Sequence, residues 1–157
     1  MKTLILLLMS ILLSNSSNAQ ANSGSASGDR FTNALTQLVG ATSIKEGLSK
    51  DQSCSKKEFS KVNLEAFVSL MGEKDKNFSN EEQTKFLNQL KGTIDESLKA
   101  KLPDGKTIGQ MNYEAIAQSI RNMQKSMSGV DFCETVNKTA EGLYQKAMDN
   151  IRLIPNK

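Results

Sequence analysis

Helical periodicity runs through almost the whole chain and constrains its fold more than any other feature. From residue 29 onward, apolar residues recur at three- and four-residue spacing, and no strictly alternating run is long enough to form a strand. The chain has only two prolines, one of them Pro155 near the C-terminus. Because proline interrupts helices most strongly, this chain can form long ones. We therefore expect an all-α fold, a small bundle or orthogonal array of about five helices.

The first two helices are placed by capping signals. Asp29 is a good N-cap for the first helix, and Gly40 weakens the middle of that helix, so a break is allowed there before it resumes toward Leu48. Ser55-Lys56-Lys57-Glu58 has the spacing of a capping box. This pattern predicts a second helix that begins at Ser55 and has Gly72 at its C-terminal cap.

The other three helices follow the same logic. Ser79-Asn80-Glu81-Glu82 repeats the capping-box spacing and predicts a third helix, which ends before the turn Pro103-Asp104-Gly105. A fourth helix is expected over about Asn112–Met127, where apolar residues recur at the helical period. The fifth is expected to begin at Asp131 and to end before Pro155.

The N-terminus has the organisation of a secretory signal peptide, which we assign to residues 1–21. Lys2 precedes the apolar run Thr3–Leu13, and small residues at the −3 and −1 positions allow cleavage before Gln20 or before Asn22. A retained membrane anchor is the alternative, but the apolar run is shorter than the roughly 20 residues that span a bilayer. We expect a periplasmic or secreted protein with no membrane contact after cleavage.

The mature chain is predicted to hold one domain and one disulfide. Residues 22–28 are small and polar and should form a flexible leader, followed by a single helical domain over residues 29–157. Cys54 and Cys133 are the two cysteines, and an even count in an exported protein predicts a disulfide between them, with two buried free thiols as the alternative. Closing a loop of about 80 residues would stabilise the fold by about 4 kcal/mol.

Composition argues against several function classes. The chain contains no histidine, which excludes histidine-dependent catalysis and histidine-ligated metals. A net charge of +3 is too small to indicate nucleic acid or an anionic membrane as the main partner. The acidic pairs Glu81/Glu82 and Asp95/Glu96 are neighbours on a helix and point about 100° apart, so they cannot face each other across a substrate. We therefore predict a protein that is not an enzyme and has no cofactor.

Two patterns suggest a metal only weakly. Asp75, Asn77 and Ser79 have the 1, 3, 5 spacing of an EF-hand loop, but Asn80 and Phe86 occupy the positions of its glycine and bidentate glutamate. The thioethers of three methionines could bind copper(I), but a core or an adaptable binding surface is the more common use of such residues. These are Met111, Met123 and Met127.

One segment resembles a known family. Leu102–Met111, which reads LPDGKTIGQM, is similar to a motif of the Tai/Rap-type immunity proteins. These are small all-helical periplasmic proteins that protect against amidase effectors of the type VI secretion system. The chain departs from the family at Lys101, where the family has a cysteine, and at the end of its last helix, which lacks one. The resemblance implies an immunity protein or inhibitor of a periplasmic cell-wall hydrolase.

We interpret the loop Pro103–Gln110 as the surface that contacts another exported protein. Asp104 and Lys106 would supply exposed polar contacts, and Gly105 and Gly109 would allow close backbone approach. The alternative is a plain connector whose Ile108 and Met111 fill the core. Other functions left open are a periplasmic chaperone or assembly factor and a secreted effector or antigen; the oligomeric state is not indicated.

Overall fold

The computed structural model describes residues 26–127 and 129–156. Within these ranges the chain forms helices and no strand, which confirms the all-α class. The elements are α1 (Ala26–Lys50), a 3₁₀ turn (Gln52–Cys54), α2 (Leu64–Lys74), α3 (Asn80–Lys99), α4 (Ile108–Ser126) and α5 (Phe132–Arg152). None of these helices is long and apolar enough to cross a membrane. The signal peptide assigned to residues 1–21 lies outside the described residues.

Helices α1 and α5 pack antiparallel and form the centre of the molecule. The Asn150 side-chain amide donates to the Gln37 side-chain oxygen at 3.0 Å near one end of the pair. The Lys45 ammonium donates to the side-chain oxygen of Asn137 near the other end. The middle of the contact is close, because a Cβ on Gly40 would lie 3.3 Å from the Leu143 side chain.

Two apolar cores lie at the two ends of this central pair. The first core joins the N-terminal half of α1 and the C-terminal half of α5 to α2 and α3; its buried residues are Ala34, Leu38, Val39, Phe67, Val68, Leu90, Ile94, Leu98, Ala147, Met148 and Ile151. The second core joins the opposite halves of α1 and α5 to α4 and the 3₁₀ turn; its buried residues are Ile44, Leu48, Cys54, Ala117, Ile120, Phe132, Cys133, Val136 and Ala140.

The predicted disulfide is confirmed. Cys54 and Cys133 are bonded, with their Cα atoms 5.7 Å apart. The bond ties the end of the 3₁₀ turn to the first turn of α5, and both cysteines are buried in the second core. It therefore links segments that are 79 residues apart in the sequence.

Two helices begin where their capping residues, Ser79 and Asp131, predict. The Ser79 hydroxyl accepts from the Glu82 backbone amide, and the Glu82 carboxylate accepts from the Ser79 amide, so the capping box of α3 is complete. Asp131 caps α5 by accepting from the Glu134 amide at 3.0 Å. Both helices end early, at Lys99 and Arg152.

The first helix is longer and more continuous than predicted. It begins at Ala26 instead of Asp29, so the last three residues of the predicted leader are helical. It also passes through Gly40 without a break. Packing of Gly40 against α5 overrides the low helix propensity of glycine, because a small residue is what this close contact requires.

The predicted start of the second helix is wrong. Residues 55–63, which we name the strap, form no helix or strand, and α2 begins at Leu64 with Asn63 as its N-cap. Phe59 packs against the second core and Val62 against the first. A helix would place these two side chains on one face. The irregular path lets each reach a different core, and it leaves Gly72 inside α2 instead of at its end.

Helix α4 begins earlier than predicted. Its N-cap is Thr107, so it starts at Ile108 instead of Asn112. The Thr107 hydroxyl accepts from the Gln110 amide at 3.1 Å, and the Gln110 side chain accepts from the Thr107 amide at 2.8 Å. This capping box, a threonine followed three residues later by a glutamine, was visible in the sequence and was missed.

Candidate functional site

The connection between α3 and α4 is a short hairpin, which we define as residues 101–107. Lys101 and Thr107 form an antiparallel bridge, and the Leu102 amide donates to the Lys106 carbonyl at 2.8 Å. The Gly105 amide closes the turn on the Leu102 carbonyl at 2.9 Å. Gly105 has a φ of +83°, the conformation that follows the turn in three-residue hairpin loops. The hairpin is therefore fixed by its own backbone.

Three of the predicted contact residues lie at the exposed tip of this hairpin: Asp104, Gly105 and Lys106. The Asp104 carboxylate accepts from the Lys106 backbone amide at 3.1 Å, which fixes the tip from within. The Lys106 ammonium forms an ion pair with Glu114 on α4, and this hydrogen bond raises the lysine pKa. The tip thus presents the Asp104 carboxylate beside the ion pair of Lys106 and Glu114.

The fourth predicted contact residue, Gly109, does not lie in the loop. It belongs to the first turn of α4, and a Cβ there would lie 3.2 Å from the Leu98 carbonyl oxygen. A side chain at this position would therefore crowd α3 of the same chain. If the loop were a plain connector, Ile108 and Met111 would both fill the core. Ile108 is buried, whereas the Met111 side chain is 42% exposed.

A small groove of about 250 Å³ lies beside the hairpin. It is formed by the C-terminal half of α1, the end of α3 and the beginning of α4. Glu46, Lys50, Lys99 and Glu114 give its walls two charges of each sign. The charges around this groove are therefore balanced.

A larger groove of about 920 Å³ lies between the strap and α1, and we name it the strap groove. Its walls include Lys45, Glu58, Lys61 and Lys91. Glu46 lines both this groove and the smaller one, so the two are neighbours across α1. Sequence reasoning missed this groove because it assigned the strap to a helix.

Lys45 is the most enclosed charge in the strap groove. Its side chain is 9% exposed, and its ammonium donates to Asn137 and lies 3.4 Å from a Glu141 carboxylate oxygen. The Asn137 amide in turn donates to Glu141 at 2.9 Å. These bonds satisfy the Lys45 ammonium within the protein, so this lysine stabilises the α1–α5 contact.

The start of the strap is positioned by a network around Asp51. One carboxylate oxygen accepts from the Tyr113 hydroxyl at 2.6 Å and from Arg121 at 3.1 Å, and the other accepts from the Ser53 amide at 2.9 Å. Arg121 also lies over the Phe132 ring, 4.7 Å from its centroid. Asp51 therefore joins the end of α1 to α4 and, through Arg121, to α5.

The electrostatics of this network keep Asp51 ionised and Tyr113 protonated. Burial alone would raise the pKa of Asp51, but the hydrogen bonds from Ser53 and Tyr113 and the charge of Arg121 together hold that pKa below its ordinary value. Burial and the Asp51 carboxylate raise the pKa of Tyr113. Partners 62 and 70 residues apart carry no local sequence signal, so this network could not be found from spacing.

In the described part of the chain, no group of three or more His, Cys, Asp or Glu residues could hold a metal ion. Asp75 accepts from the Asn77 amide, and Ser79 caps α3, so the EF-hand spacing belongs to a polar loop and a cap. The methionines on α4 are not core residues: Met123 is 42% and Met127 is 56% exposed.

Comparison with known proteins adds no relative: no family model matches the chain, and neither curated proteins nor solved structures give a significant match. The resemblance of Leu102–Met111 to the immunity proteins therefore stays a prediction.

Proposed function

We propose that this chain is an exported, non-enzymatic protein that binds another exported protein through the hairpin, and that its partner is a periplasmic peptidoglycan amidase. The observation that carries the proposal is the exposed tip, Asp104 to Lys106, held by three hydrogen bonds within the hairpin and an ion pair to α4. A segment that is already ordered loses little entropy on binding. A disulfide fits an oxidising compartment such as the periplasm.

Inhibition would work by occlusion. A rigid turn with a carboxylate at its tip can enter the cleft of an enzyme and exclude substrate without any chemistry of its own. The balanced charges of the surrounding groove would then set orientation and association rate more than affinity.

The test is a double substitution, Asp104→Ala with Lys106→Ala, measured against a periplasmic peptidoglycan amidase. We expect calorimetry to show an affinity loss of more than about tenfold, or about 1.4 kcal/mol. Inhibition of peptidoglycan cleavage should fall in parallel, while the melting temperature hardly changes.

A matched control removes another exposed ion pair of the same kind. Glu81 and Lys85 lie near the beginning of α3, at the opposite end of that helix from the hairpin, and their ion pair is 2.7 Å long. Glu81→Ala with Lys85→Ala should leave amidase binding unchanged. Equal affinities of the wild type and the hairpin variant for the amidase would contradict the role of the hairpin, and no binding by the wild type would contradict the proposed partner.

The exposed methionines favour a second candidate, a periplasmic chaperone or assembly factor. Met123 and Met127 are four residues apart at the end of α4, and flexible thioether side chains adapt to many apolar surfaces. A chaperone would suppress the aggregation of an unfolded client protein, and Met123→Ser with Met127→Ser would reduce that effect. An inhibitor would not suppress aggregation, so the methionine substitutions would have no such effect.

A further inference from the structure

The middle of the strap has unpaired backbone. Among the described residues, no hydrogen-bond partner exists for the amide or carbonyl of any residue from Glu58 to Val62. Five consecutive residues therefore offer both donors and acceptors. Backbone groups that have no partner within the chain are available to pair with an extended segment of another chain.

Both ends of the strap are fixed. At one end Cys54 is bonded to Cys133, and the Lys57 ammonium pairs with Asp131. At the other end the Asn63 carbonyl accepts from the Tyr144 hydroxyl at 2.9 Å, and the Asn63 side chain caps α2. The strap is thus held on the surface by these contacts at its ends and by the packing of Phe59 and Val62, and a partner would meet it in an ordered state.

The charges along the strap groove indicate what could lie there. Three of the lining lysines have carboxylate partners in the chain: Lys45 with Glu141, Lys57 with Asp131 and Lys91 with Glu65. Within the described ranges, Glu58 and Lys61 have no ion-pair partner. A complementary occupant would place a basic side chain near Glu58 and an acidic one near Lys61.

We infer that the strap is a docking edge for an extended segment of the partner protein, which pairs its backbone with Glu58–Val62 and lies in the strap groove. This inference rests on the proposed function and adds the mode of binding. Glu46 borders both grooves, so a partner seated on the hairpin can reach the strap across α1. Backbone hydrogen bonds to the strap would supply affinity. The unpaired charges of Glu58 and Lys61 would set the alignment of the docked segment.

Proline substitution separates backbone pairing from side-chain effects. Pairing with a docked strand requires the strap to present alternate amides to it, so the proposed pairing uses Ser60 or Lys61 but not both. Neither amide has a partner within the chain, so Ser60→Pro and Lys61→Pro remove no internal hydrogen bond. Ser60→Ala and Lys61→Ala are the matched controls for the lost side chains.

The probe is a displayed library of random linear peptides, panned on the oxidised protein, with the enriched peptides then synthesised. We expect peptides of complementary charge whose affinity falls about tenfold in one proline variant, as the loss of one or two hydrogen bonds requires. Binding to the other proline variant and to Ser60→Ala should be close to that of the wild type. Lys61→Ala should weaken only those peptides that carry an acidic residue.

Three outcomes would overturn the inference: no peptide is enriched, both proline variants bind like the wild type, or both lose binding equally. The hairpin variant separates this result from the proposed function. If amidase binding depends on Asp104 and Lys106 while no peptide responds to the strap, only the docking edge fails. If peptides respond to the strap but the amidase does not bind, the proposed partner fails and the docking edge stands.

Discussion

The two exposed connections of this molecule, the strap and the hairpin, are held in place by different kinds of interaction. The hairpin is fixed by hydrogen bonds among neighbouring residues and by the capping box of α4. The strap is fixed by a disulfide that spans 79 residues, an ion pair that spans 74 and a hydrogen bond that spans 81. One connection is ordered by local sequence and the other by the rest of the fold.

This difference has a physical consequence for stability. A local turn needs only its own residues to form, so it should survive damage elsewhere. A segment that depends on distant partners should loosen whenever those partners move, because its own backbone offers few bonds to replace them. The strap is thus expected to open more easily than the hairpin.

The largest expected effect comes from removing the disulfide with Cys54→Ser and Cys133→Ser. The free energy of unfolding should fall by about 4 kcal/mol, because the unfolded chain gains the entropy of a 79-residue loop. Denaturant unfolding measures this loss. Hydrogen exchange should be faster than in the wild type at the Lys57 amide, which lies in the strap, with little change at the Gly105 amide in the hairpin.

A uniform rise in exchange at both amides would contradict the distinction between the two connections. It would mean that the order of the hairpin also depends on the Cys54–Cys133 disulfide. Reduction of the wild-type disulfide, followed by thiol blocking, provides a control for the substitutions, since it breaks the same bond without introducing serine.

The same distinction explains which parts of the fold could be predicted from the sequence. The caps at Ser79 and Asp131 are local patterns, and the helices that follow them begin where expected. The pattern at Ser55 has the same spacing, yet no helix follows it. There the competing information is non-local: Phe59 and Val62 reach two different cores.

The candidate site was predictable to a similar degree. The turn at Pro103-Asp104-Gly105 is encoded by its own residues, and its exposed tip is where the sequence placed it. The location of Gly109 was wrong because the Thr107 cap shortens the loop, and the strap groove was missed because it forms between segments distant in the sequence. The disulfide could be predicted because two cysteines allow only one intramolecular pairing.

A smaller effect is expected from Gly105→Ala in the hairpin. The φ of +83° at this position is strained for any residue with a Cβ, so the substitution should cost about 1–2 kcal/mol. The loss should be confined to the hairpin and should also weaken amidase binding. Thermal unfolding and hydrogen exchange at the Lys106 amide measure the two consequences.

Gly142→Ala is the matched control for that substitution. Gly142 lies inside α5, and a Cβ there would meet no atom within 4 Å, so alanine should stabilise the helix by up to about 1 kcal/mol. Opposite signs for the two substitutions are expected from backbone conformation alone. A neutral or stabilising Gly105→Ala would show that the hairpin does not need the positive φ.

The smallest expected effect is the pH dependence that Asp51 gives to the strap side of the molecule. Its pKa in the folded protein lies below the ordinary value of 3.8, so the ionised carboxylate stabilises the fold above pH 3.8 and this contribution is lost as pH falls through the folded-state pKa. Burial opposes the hydrogen bonds that lower the pKa, so the net lowering is less than those bonds alone would produce.

Asp51→Asn should therefore reduce the fall in unfolding free energy between neutral and acidic pH, as measured by urea titrations at several pH values. Tyr113→Phe removes one donor to the carboxylate and should reduce the same fall by less. Glu65, Glu82 and Asp131 also have lowered pKa values, so some acid dependence will remain in both variants. If both variants keep the full pH dependence of the wild type, the network around Asp51 does not couple protonation to the stability of the fold.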